Sequence, residues 1–136
     1  MLTAEIVLLT LKIAVAAVTV LLLCSLTALA LGNYRLHGRI NLVFFILVLG
    51  ALLGFELVAQ VLYPGMLQRF LEQHDALGML YIHLGFSVPA ALVLPAMLYS
   101  GLKRYRSVHV SLGVVFLVLW SGTFVTGIFF LPHTAP

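Results

Sequence analysis

Three short polar breaks divide this chain into four long apolar runs, and no other feature constrains its fold as tightly. The runs cover about residues 8–31, 40–63, 79–102 and 110–131, and the breaks read GNYRLHGR, PGMLQRFLEQHDALG and KRYRSVH. Each run has the roughly 20 residues that an α-helix needs to cross a hydrocarbon core of about 30 Å. A closed barrel would also satisfy its backbone in lipid, but it needs alternating strands of about ten residues, and these runs are continuous. With 63% hydrophobic and 8% charged residues, the chain lies outside the range of soluble domains. The expectation is an all-α integral membrane protein, with a single domain over residues 1–136. Short links between consecutive spans make it an antiparallel four-transmembrane-helix bundle.

The breaks carry helix-end signals. Gly32-Asn33 suits a C-terminal cap, Pro64-Gly65 ends the second run, and Ser107 is an N-cap candidate for the fourth. Pro89 and Pro95 are expected to bend the third span, and Gly50-x-x-x-Gly54 permits close helix approach. Orientation follows from the basic residues. Arg35, Arg39, Lys103, Arg104 and Arg106 fall in loops one and three, whereas loop two has only Arg69 against Glu72 and Asp75. The positive-inside rule therefore puts loops one and three in the cytoplasm and both termini outside, in a bacterial-type inner membrane. This asymmetry accounts for nearly all of the net charge of +3, so no nucleic-acid partner is called for. The lipid bilayer is the partner that the composition demands.

In loop two, Met66, Leu67, Phe70, Leu71, His74 and Leu77 recur at helical spacing, which predicts a short interfacial helix over 66–77. The start, MLTAEIVLLTLK, lacks the basic segment of a signal peptide and reads as retained. The single cysteine, Cys24, lies in an apolar run and supports neither a disulfide framework nor a cysteine metal cluster. The two halves share a loose pattern, a long helix, a basic loop and a histidine opening the next helix. No nucleophile elbow, zincin, P-loop or dinucleotide fingerprint occurs, which points away from independent catalysis.

Histidines are the main chemical signal. His37 and His109 both stand at the cytoplasmic starts of spans, at similar depth. At about 100° per residue, Phe116, Trp120 and Gly127 share the His109 face, and Asn41, Phe44, Phe55 and Ala59 share the His37 face. If both stripes face inward, the two imidazoles approach a common site. A helix N-terminus disfavours a nearby cation, and neutral imidazole is the form that ligates a metal. Arg35, Arg39, Arg104 and Arg106 would surround that site with donors for carboxylates such as haem propionates. The bland alternative is that interfacial histidines and arginines only anchor helix ends.

His83 lies about one turn inside the outer face of the third span, with Ser87, Ala90, Leu94, Met97 and Gly101 on its stripe. Glu56 on the second span and Lys12 on the first fall in the same outer half. A charged residue at membrane depth costs about 2.5–3.5 kcal/mol on insertion scales, so Glu56 should have a partner, with His83 or Lys12 the candidates. An ion pair or hydrogen bond is favoured for Glu56 over a metal-ligand role. His133 reads as a solvated tail residue.

The segments Leu36-His37-Gly38-Arg39-Ile40 and Tyr81-Ile82-His83, followed by a basic link, His109, Trp120 and Thr126-Gly127, resemble a known family. This is the family of small four-histidine, multi-pass membrane proteins found with haem-copper oxidase genes, whose characterised members assist maturation of the terminal oxidase. The likeness runs from Gly32 to Phe130. It implies ligand histidines at His37, His83 and His109. The family's remaining histidine is expected close to Ala59, where this chain has only Glu56 one turn earlier, which weakens an outer site and leaves the His37–His109 pair intact.

These readings lead to a membrane haem-binding protein, with His37 and His109 as axial ligands and the four arginines receiving propionates. Its role would be haem handling, electron transfer or assembly around a terminal oxidase, with a respiratory membrane complex as partner. One alternative is a copper-binding assembly factor using histidine with Met97, although no cysteine or methionine cluster marks a dedicated copper carrier. Another is a non-catalytic accessory subunit.

Overall fold

The computed structural model describes residues 2–132, and His133 lies outside them. Among the described residues the chain is helical throughout its regular structure. Helix α1 spans Ala4–Ala30. Helix α2 spans Tyr34–Glu56 and continues through a π-helical turn, Leu57–Leu62. A short α3, Met66–Gln73, leads to α4, Leu77–Leu102. Helix α5, Arg106–Val125, also ends in a π turn, Thr126–Phe130. The four long helices are each long and apolar enough to cross a membrane.

The four apolar runs became helices as expected, but their N-termini start earlier. Thr3 Oγ accepts the Ile6 amide at 3.4 Å, and Glu5 sits in the first turn, so α1 begins at Ala4 rather than near residue 8. Asn33 Oδ1 accepts the Leu36 amide at 3.1 Å and starts α2 at Tyr34, absorbing the polar segment expected as loop. Tyr105 is the N-cap of α5, with no side-chain capping bond, and Ser107 falls inside the first turn instead of capping it. His37 therefore stands within the opening turns of α2, as His109 does in α5. The interfacial helix ends at Gln73, short of the expected residue 77, because Asp75 takes a left-handed φ of 51°.

Three helix ends close with the same device. After α1, Asn33 N bonds to Ala28 O at 2.9 Å and Gly32 N to Leu29 O at 3.0 Å. After α4, Tyr105 N bonds to Ser100 O at 2.9 Å and Arg104 N to Gly101 O at 3.1 Å. After α3, Ala76 N bonds to Leu71 O at 2.9 Å and Asp75 N to Glu72 O at 3.1 Å. Each is a Schellman motif, which needs one left-handed residue, supplied by Gly32, Arg104 and Asp75.

The chain thus makes two antiparallel hairpins, α1 with α2 and α4 with α5. They are built alike. His37 and His109, Phe44 and Phe116, Gly50 and Gly122, and the left-handed joints Gly32 and Arg104 all recur at one constant offset. The loose two-half pattern of the sequence is therefore a repeated hairpin. At the centre Phe44 meets Phe116 edge to face, with ring centroids 6.0 Å apart, and Trp120 lies 5.1 Å from Phe44 and 5.7 Å from Phe116. Val18, Leu22, Ala90, Leu94 and Met97 complete this core. Trp120 Nε1 donates to Thr19 Oγ at 3.1 Å, tying α5 to α1. Beyond the core, large apolar side chains are exposed around the bundle, with Leu23, Ile46, Leu92 and Val118 among them, a surface compatible with a lipid bilayer. The amphipathic α3 lays Leu71 over the far end beside Ala76 and Leu131.

Candidate functional site

His37 and His109 meet. Their ring centroids are 6.3 Å apart and their planes are inclined at 81°. The repeated hairpin explains the meeting. Each imidazole stands near the start of its second helix, and each helix then buries a phenylalanine, Phe44 or Phe116, in the common core. Helical phase carries the histidine to the same inner face one level nearer the basic end.

Each ring is held through Nδ1 by the helix preceding it. His37 Nδ1 lies 2.8 Å from Ser25 Oγ and 3.0 Å from Ser25 O. His109 Nδ1 lies 2.9 Å from Met97 O, with Ser100 Oγ at 3.4 Å. A carbonyl only accepts, so both networks assign the proton to Nδ1 and the lone pair to Nε2. That tautomer, with Nδ1–H fixed on a carbonyl, is the one metal-ligating histidines use. Two imidazole nitrogens bound on opposite sides of one metal at about 2 Å place the ring centres on the order of 6 Å apart, the separation found here.

Further polar groups shape the pair. Ser25, fully buried, donates to Asn41 Oδ1 at 2.5 Å, and Asn41 Nδ2 approaches His37 Nε2 at 3.1 Å. Ser100 Oγ donates to Met97 O at 2.8 Å. Gly101 lets the His109 ring press against α4, because a Cβ there would stand 2.9 Å from Cε1. Between the rings and α1 lies an apolar cavity of about 170 Å³, with Leu22, Leu26, Met97, Gly113 and Leu117 in its walls. Its rim is formed by exposed Leu29, Val110 and Val114, so it opens sideways between α1 and α5.

Arg35 and Arg39 in the first turns of α2, Arg104 in the joint and Arg106 opening α5 occupy the same end as the imidazoles. All four are exposed, and no hydrogen bond or ion pair engages their guanidinium groups among the described residues.

The remaining candidates lie apart. His83 precedes Met97 on α4 by about 20 Å of helix rise. Its Nδ1 donates to Thr126 Oγ at 2.8 Å, since that hydroxyl gives its own proton to Gly122 O. Gly127 makes room for the ring, as a Cβ there would lie 3.0 Å from His83 Cε1. Lys12 Nζ donates to the carbonyls of Ile128 at 2.8 Å and Leu131 at 2.5 Å, capping the end of α5. Glu56 is exposed and joins neither His83 nor Lys12. The expected Glu56 pair does not form, because both candidate partners are turned toward the α5 π turn. Among the described residues no group of three or more histidine, cysteine, aspartate or glutamate side chains converges. The structure brings His37 and His109 together and leaves His83 and Glu56 outside that pair.

Ser25, Ser100 and Thr126 are the polar partners of the candidate histidines that sequence reasoning missed. Asn41 was visible as a neighbour of His37 on one helix face, but its amide contact was not. No family model, curated protein or solved structure matches the chain.

Proposed function

We propose that this is a membrane haem-binding protein, acting in haem handling, electron transfer or assembly around a terminal respiratory oxidase. The observation that carries the reading is the pair of imidazoles 6.3 Å apart, each with Nδ1 fixed on a backbone carbonyl, so that both Nε2 atoms are unprotonated, the form that ligates a metal. The donor set fits a haem iron with two axial histidines. Apolar cavity walls suit a porphyrin, and Arg35, Arg39, Arg104 and Arg106 are available to its propionates at the basic end. The cavity volume of 170 Å³ is below the roughly 300–1,000 Å³ of small-molecule pockets, so a porphyrin would extend through the side opening between α1 and α5. Haem supplies one-electron chemistry, and the protein tunes it through axial ligands and burial. Positive-inside orientation puts this end in the cytoplasm of a bacterial-type cell. The resemblance to oxidase-associated four-histidine proteins supplies the respiratory context.

Protein expressed with ample haem and purified in detergent should carry a Soret band and α and β bands on reduction, and His109→Ala should lose them. Absence of a Soret band, or an unchanged spectrum in His109→Ala, overturns the reading. A second reading rests on Met97, whose side chain lines the same cavity as the two imidazoles. A soft thioether with two imidazoles suits a copper ion, which needs no added space. Stoichiometric copper without haem would favour it.

A further inference from the structure

The two halves repeat, yet they differ one turn beyond each imidazole. In the first half that position is Asn41, and in the second, at the same offset, it is Gly113. Asn41 Nδ2 lies 3.1 Å from His37 Nε2 and donates to its lone pair. The amide is held from behind by the Ser25 hydroxyl on Asn41 Oδ1, and Ser25 is fully buried. Gly113 presents nothing to His109 Nε2, which has no hydrogen bond among the described residues. Both histidines border the same cavity.

We infer that Asn41 masks the ligating nitrogen of His37 while Gly113 leaves that of His109 open, so that the two imidazoles engage a haem iron in a fixed order. His109 binds first, and His37 follows when the Asn41 amide is displaced. This order rests on the haem reading above, whereas the masking itself concerns the protein without ligand. Asn41 is a positioning residue: it holds His37 ready in the ligating tautomer and delays its use. Space permits the reciprocal change, because a Cβ at Gly113 would meet only the Met97 sulfur, at 4.0 Å.

Diethyl pyrocarbonate acylates unprotonated imidazole nitrogens that carry no hydrogen bond, and mass spectrometry reads each histidine separately. In detergent-solubilised protein without haem, His109 should be modified several-fold faster than His37. Asn41→Leu should bring His37 close to the His109 rate, and Gly113→Asn should slow His109 toward the His37 rate. Equal rates in the wild type, or a ratio unmoved by Asn41→Leu, overturn the masking. On mixing with ferric haem, His37→Ala should still take up haem as a five-coordinate, high-spin species, and His109→Ala should lose most uptake. Asn41→Leu should accelerate the low-spin phase. Equal losses in the two histidine variants overturn the order. Failure of wild-type protein to take up haem removes the haem reading, and the acylation ratio then decides the masking by itself.

Discussion

Ser25 fixes the His37 ring at both nitrogens, at Nδ1 through its carbonyl and hydroxyl and at Nε2 through the Asn41 amide that the hydroxyl restrains. Ser25→Ala should cost about 1–3 kcal/mol of stability, the usual penalty when a buried polar group loses its partner. Thermal unfolding in detergent would read it as a lowered midpoint, with Ser111→Ala, an exposed hydroxyl, as the near-neutral control. The histidines were legible because an ionisable side chain in so apolar a chain is expensive and therefore informative. Ser25 was not, because a helical serine or threonine ordinarily bonds the carbonyl one turn back. Thr10, Thr19, Thr27 and Ser121 do so here. Nothing in the sequence separates Ser25 from them, since its partner comes from the next helix. Glu56 erred the other way: its charge was conspicuous, but Lys12 and His83 had backbone and hydroxyl partners on α5 that no spacing announces.

The helices were legible from hydropathy, and their first turns were not. Polar residues such as Arg35 and Arg106 extend a helix beyond its apolar run without altering the hydropathic signal. Arg104 and Asp75 close Schellman motifs in a left-handed conformation that sequence associates with glycine, so only Gly32 gave its joint away. The repeated glycines make a direct comparison of two elements. A Cβ at Gly122 would run into the Phe86 ring of α4, whereas Gly50 has open space on α2. Gly122→Ala should therefore destabilise by about 1–3 kcal/mol through overpacking. Gly50→Ala should be neutral or stabilise by up to about 1 kcal/mol through helix propensity. Unfolding of the two variants side by side checks this. Lys12→Met removes two bonds to the end of α5, and amide hydrogen exchange over residues 126–131 should quicken while the α5 centre near Phe116 stays protected.

For the whole molecule, two alike hairpins place the histidine pair, the side opening and the four arginines at one end, and the α3 cover with Lys12 and His83 at the other. Positive-inside orientation predicts which end is which. In a bacterial host, a periplasm-dependent reporter fused after residue 136 should be active, and the same reporter inserted between Lys103 and Arg104 should be silent. The reverse pattern would put the histidine pair on the outer side. The two hairpins bring two near-perpendicular imidazoles together, and the haem reading proposed above makes them the ligands of one iron. That arrangement is read most directly by low-temperature electron paramagnetic resonance of the ferric, haem-loaded protein. Axial imidazoles inclined near the 81° found here give a low-spin signal of strong anisotropy, lost in both His37→Ala and His109→Ala. A high-spin signal in the wild type, or a low-spin signal that survives both substitutions, would contradict a haem held between His37 and His109.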